Sequence, residues 1–78
     1  MVRWLVWCPE WGTEETADEV VGDSPEDAVE GWAQFHPDRF DEHGRGVCVR
    51  HVRRQDTIAL VVRAHTLRIY KAERKGET

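Results

Sequence analysis

Two cysteines, four histidines and one serine are the residues of this chain best suited to metal binding or nucleophilic attack. Cys48 and His51 stand at a C-x2-H spacing. That spacing would supply half of a zinc site, but no second pair completes it. Cys8 runs directly into Pro9 with no neighbour at a ligand spacing, and His36, His43 and His65 are scattered. Residues i and i+3 of a strand point to opposite faces, so Cys48 and His51 would not meet as a catalytic dyad. Ser24 is placed to cap a helix rather than to attack a substrate. The carboxylates crowd into a loop and a helix face that water reaches, not into an apolar setting that would raise a pKa. Gly44 and Gly46 lie far from a helix start and form no phosphate-binding loop. No enzymatic activity, no bound metal and no cofactor are expected.

Stepping from chemistry to contact surfaces, four tryptophans are many for 78 residues. Trp32 falls on a buried helical stripe. Trp4 and Trp7 point to opposite faces of the first strand, and Trp11 lies in an acidic loop. Trp7 and Trp11 either cover the open face of a sheet or stand exposed for binding, where aromatic residues concentrate in hot spots. Charge is the other strong feature. From Trp4 to Asp38 there are ten acidic residues and no Lys or Arg, whereas from Arg39 to Thr78 ten basic residues face five acidic ones. The split is either internal, an acidic element facing a basic one within the fold, or external, an acidic face offered to a basic partner.

The elements that must position these residues follow from pattern. Val2 to Cys8 reads as a strand, apolar on both faces and stopped by Pro9, which suits an interior position in a sheet. Ala17 to Val21 reads as a second strand because Val20 and Val21 are β-branched and a helix start follows at once. Ser24 caps that helix, Pro25 takes its first position, and Glu26 and Asp27 sit where the helix dipole favours negative charge. Ala28, Val29, Trp32, Ala33 and His36 recur at helical spacing, and Pro37 ends the helix near His36. Phe40 is expected to tuck back onto the helix end. Gly46 to Arg53 and Thr57 to His65 read as a hairpin, and Thr66 to Ala72 as an optional last strand through Leu67, Ile69 and Tyr70. The fold class is α+β: a four- to five-stranded antiparallel sheet in the order β-β-α-β-β, with one helix on one face. Val6, Val29, Trp32, Val49, Leu60 and Val62 should share its core. The chain reads as a single domain over residues 1–78, with a charged tail at 72–78 that frays.

Length and composition agree with this. A chain of 78 residues buries only about 60% of the surface its unfolded form exposes, which allows one thin core. The uncharged runs Trp4–Pro9 and Thr57–Val62 are far short of the roughly 20 residues of a membrane span. The first residues lack the cleavage pattern of a secretory signal. Two cysteines without such a signal suit free thiols in a reducing cytoplasm.

Two binding classes fit. Arg50, Arg53, Arg54 and Arg63 could line a basic hairpin for nucleic acid, yet the pI of about 5.5 lies far below that of typical nucleic-acid-binding domains. Alternatively, the acidic half could steer the domain onto an Arg/Lys-rich groove and occupy it in place of a phosphate backbone. Here a resemblance enters. The stretch Trp7-Cys8-Pro9-Glu10-Trp11-Gly12-Thr13-Glu14-Glu15, then Ser24-Pro25-Glu26-Asp27-Ala28, then Trp32-Ala33, resembles very short acidic proteins of phages and other mobile elements. Among these, the anti-CRISPR inhibitors are similar in size, acidity and lack of catalytic motifs. The resemblance implies a non-enzymatic inhibitor in the host cytoplasm that binds a Cas protein or complex through an acidic surface. That mode of action falls on Glu14, Glu15, Asp18, Glu19, Glu26, Asp27 and Glu30, with Trp11 beside them. A homodimer is also expected, since an acidic and a basic half on one chain can pair between copies.

Overall fold

The computed structural model describes residues 2–64 and 70–74. Its elements are strands β1 (Val2–Trp7) and β2 (Asp18–Gly22), helix α1 (Pro25–Ala33), and strands β3 (Arg45–His51), β4 (Thr57–Ala64) and β5 (Tyr70–Arg74). All neighbouring strands are antiparallel, in the spatial order β2-β1-β3-β4-β5. The chain order is therefore β-β-α-β-β-β, and the fifth strand belongs to the sheet. Leu67 and Ile69, expected in that strand, lie outside the described residues. The expected tail starts too early: Ala72 is buried opposite Val62, and the strand runs on to Arg74.

Pleating sorts the strands into two faces. Register places Trp4 opposite Val20 and His51, Val6 opposite Asp18 and Val49, and Val49 opposite Ile58. These residues share the face on which α1 lies. The other face, away from α1, carries Arg3, Leu5, Trp7, Cys48, Arg50, Ala59, Val61 and Arg63, and the 3-10 turn Glu14–Thr16 reaches it through the Glu14–Arg50 pair. The six residues expected in the core lie in it, Val6, Val29, Val49, Leu60 and Val62 fully buried and Trp32 nearly so, and Trp4, Cys8, Ala28, Ala33, Phe40, Val47, Tyr70 and Ala72 join them.

Local chemistry fixes how α1 enters and leaves. Ser24 Oγ accepts the Asp27 amide hydrogen at 3.1 Å, which satisfies one of the amides left open at a helix start. Before it, the end of β2 runs so close to α1 that a Cβ on Gly22 would stand 2.8 Å from the Ala28 nitrogen. Only glycine fits that approach. The helix closes at Ala33, earlier than the stripe to His36 suggests. Phe35 N–H donates to Trp32 O and His36 N–H to Ala33 O, bonds of 3-10 type that tighten the last turn before Pro37. Tightening keeps His36 against the core and turns Phe35 outward. Gly44 adopts φ +90°, a conformation that favours glycine, and leads the chain into β3. No helix among the described residues is long and apolar enough to cross a membrane.

Candidate protein-binding surface

The loop between β1 and β2 folds back over the C-terminal end of α1. Gly12 N–H and Trp11 N–H both donate to Cys8 O, at 2.9 and 3.1 Å, which turns the chain as soon as β1 ends. Trp11 then lies on Trp32, with ring centroids 6.2 Å apart and planes 14° from parallel. Phe40 meets both rings edge-on, as expected for a residue tucked under the helix end. His36 packs on Trp32 at 4.7 Å. The guanidinium of Arg39 sits 4.5 Å from the Trp11 centroid, and that of Arg45 5.3 Å from it. Trp11 is thus half-buried in the aromatic cluster on the helix side of the sheet. It does not cover the open sheet face, because the Cys8 turn carries it the other way. Trp7 is the tryptophan on that face.

Asp18 joins this cluster to the acidic loop. Trp32 Nε1–H donates to Asp18 Oδ2 at 2.8 Å, and His36 Nε2 stands 4.0 Å from the same oxygen. A hollow of about 230 Å³ opens between Trp11, Trp32, Thr16 and Asp18. Phe35 is the neighbour of His36 in the chain and is 83% exposed. Sequence reasoning passed over Phe35 and Arg39. Helical spacing alone could not have found Phe35, because position 35 is i+7 from Ala28 and i+3 from Trp32; the tightened turn after Ala33 is what turns it outward.

The remaining acidic residues divide. Glu14 is ion-paired with Arg50, Glu19 with Arg3 at 3.6 Å, and Glu26 with Arg74 at 2.9 Å. The Arg74 guanidinium holds the Glu26 carboxyl below the usual carboxylate range. Glu30 accepts the Ala72 amide hydrogen at 3.0 Å and so ties α1 to β5. Glu15 and Asp27 are exposed and make no ion pair among the described residues.

The basic residues are not gathered into one patch. Arg50 and Arg63 lie on the open sheet face, whereas Arg45 is on the helix side and paired with Glu10. Arg50 is only 17% exposed, held by Glu14 and by the carbonyls of His51 and Arg54. Arg63 is paired with Glu73 at 3.1 Å. Of the four arginines named from the sequence, Arg53 and Arg54 keep exposed guanidinium groups without an ion pair among the described residues.

Register also separates the candidate metal pair. Cys48 stands opposite Trp7 on the open face, and His51 opposite Trp4 on the helix face. Among the described residues no three His, Cys, Asp or Glu side chains cluster as metal ligands would. Cys8 is buried, its Sγ donating to Gly46 O at 3.3 Å, and burial pushes its thiol pKa up. A raised pKa keeps the thiol protonated, the opposite of what a nucleophile needs.

What fold and surface define is an α+β domain with an aromatic cluster, bonded to Asp18, at one end of its helix. No family model, curated protein or solved structure matches this chain.

Proposed function

We propose that this chain is a non-enzymatic binding domain that docks on a basic surface of a nucleic-acid-handling protein, with Phe35 as its apolar anchor. The observation that carries this reading is the exposure of Phe35 beside the Trp11–Trp32–His36 cluster. An exposed aromatic side chain can act as an anchor, because aromatic residues are enriched in interface hot spots. Asp18 stands 4.0 Å from Nε2 of His36, the neighbour of Phe35 in the chain, and Glu15 and Asp27 are exposed. Together they supply the acidic character that would steer the domain onto an Arg/Lys-rich groove. The resemblance to mobile-element inhibitors makes a CRISPR effector the first partner to test. Glu14, Glu19, Glu26 and Glu30 serve the fold first, so their part in docking is secondary.

The test is capture of purified effector complexes by the immobilised domain, after nuclease treatment, with Phe35→Ala and Glu15→Lys/Asp27→Lys variants alongside. Both variants should keep the parent's melting curve and lose the partner. Binding unchanged in both would overturn the reading. So would retention on DNA that falls steeply with salt and depends on Arg53 and Arg54, the signature of a nucleic-acid-binding module.

A further inference from the structure

A second concave site lies at the opposite end of β1 from the Trp11 loop. It is a cleft of about 480 Å³ lined by Val2, Trp4, His51, Arg54, Asp56 and Ile58. Register places Val2, Trp4, His51 and Ile58 on one face of three adjacent strands, so the floor is apolar and continuous. Its walls are held in place. Trp4 Nε1–H donates to Gly22 O at 3.0 Å, and the His51 ring meets the indole edge-on at 5.4 Å. His51 Nδ1 accepts the Arg53 amide hydrogen at 3.0 Å, which leaves Nε2 as the protonated nitrogen and a donor. The turn above is pinned because Arg50, itself paired with Glu14, donates to the Arg54 carbonyl.

The rim carries the informative feature. Arg54 and Asp56 are opposite in charge and two residues apart, yet they form no ion pair with each other or with any described residue. A cation and an anion standing open over an apolar floor complement a ligand that brings one charge of each sign and an apolar body. We infer that this cleft binds a free amino acid with an aromatic or large aliphatic side chain. Its carboxylate would face Arg54 and His51 Nε2–H, its ammonium Asp56, and its side chain the floor of Trp4, Val2 and Ile58. Arginine suits the carboxylate because its fork donates two parallel hydrogen bonds. A plain carboxylate would leave Asp56 unmatched, and a plain amine would leave Arg54 unmatched. The volume falls within the range of small-molecule sites.

The experiment is a heteronuclear NMR titration of the full chain with L-phenylalanine, phenylpropionate and phenethylamine. The Trp4 indole and His51 ring signals are the local reporters. L-Phenylalanine should shift them saturably with a Kd of about 1 mM, as a ligand of about a dozen heavy atoms in an open cleft reaches. Either truncated compound should bind about tenfold more weakly, the loss expected for one charge-assisted contact. Arg54→Gln and Asp56→Asn change exposed turn residues and should keep the fold. Each should weaken phenylalanine by a similar factor, and Arg54→Gln should leave phenethylamine unaffected. No saturable shift at Trp4 and His51 would overturn the assignment. Equal binding of all three compounds, or indifference to both substitutions, would also overturn it.

Discussion

Trp32→Ala is the substitution that most directly tests why this domain holds together. The side chain is 3% exposed and touches each part of the aromatic cluster: Trp11 in near-parallel stacking, Phe40 edge-on and His36 at 4.7 Å. Its truncation removes apolar burial and leaves a cavity, together worth about 3–5 kcal/mol for a core Trp→Ala change. That figure already contains the lost aromatic pairings, each worth about 0.5–1.5 kcal/mol. The Asp18 hydrogen bond counts for less, because that carboxylate is largely exposed and regains water when its donor is lost. The whole stability of a 78-residue domain is only about 4–12 kcal/mol. The variant should therefore lose a large share of the domain's stability, whereas Asp18→Ala should cost about 1 kcal/mol. Urea unfolding followed by far-ultraviolet circular dichroism reads both. A Trp32→Ala variant with the parent's urea midpoint would refute the central place given to this residue. A large loss from Asp18→Ala would move the weight from packing to the hydrogen bond.

Three further outcomes are expected. Arg50→Ala should cost about 1–2 kcal/mol in urea unfolding, because two backbone carbonyls lose their donor. Arg50→Lys should recover only part of this, since one ammonium does not reproduce the fork. For Glu26, the folded-state carboxyl titrates below the ordinary value of 4.5, so the unfolded chain binds more protons in acid. Its contribution is complete above that value and is lost as pH falls through the lowered folded one; Glu26→Gln should flatten that part of the urea-midpoint profile, and an unchanged profile would contradict the Arg74 pairing. Iodoacetamide should label half-buried Cys48 well before Cys8, whose burial raises its pKa and shields its sulfur. Equal rates in the native protein, mapped by mass spectrometry, would contradict the placement of Cys8.

Much of the fold was legible because its signals are local. Ser24-Pro25-Glu26-Asp27 announces a helix start through capping chemistry alone, and the Val29–Trp32–Ala33 stripe names its buried face. Alternation in Val47–Val49 and Leu60–Val62 sets the core side of the hairpin. What remained hidden depends on partners far apart in the chain. Glu14 and Arg50 pair across 36 positions, and only the placement of β1 between β2 and β3 brings them together. The same holds for Glu26 with Arg74 and for Glu30 with the Ala72 amide, contacts that turn an apparent tail into an edge strand. Trp11 could be assigned to neither face from the sequence, because a turn made by backbone bonds to Cys8 O decides its direction. The cleft at His51 likewise draws on three strands, and no spacing within one segment marks it.

The charge asymmetry of the chain takes on a different meaning once these pairs are known. β1 runs between β2, which is acidic, and β3, which is basic, so the sheet order itself brings the two halves into register. The resulting surface pairs are each worth about 0–1 kcal/mol, too little to explain why the domain folds. Their larger effect is to offset four of the ten acidic residues between Trp4 and Asp38, namely Glu10, Glu14, Glu19 and Glu26. Among the described residues Glu15, Asp23, Asp27, Glu30, Asp38, Asp41, Glu42 and Asp56 have no ion pair, and neither have Arg39, Arg53 and Arg54. In the two proposed modes of binding, recognition rests on the unpaired charges near each site and on the apolar groups beside them, Phe35 at one end of the fold and the Trp4 floor at the other. Salt should therefore tune how fast partners arrive at these sites more than how long they stay, because apolar contacts in the interior of an interface are not screened.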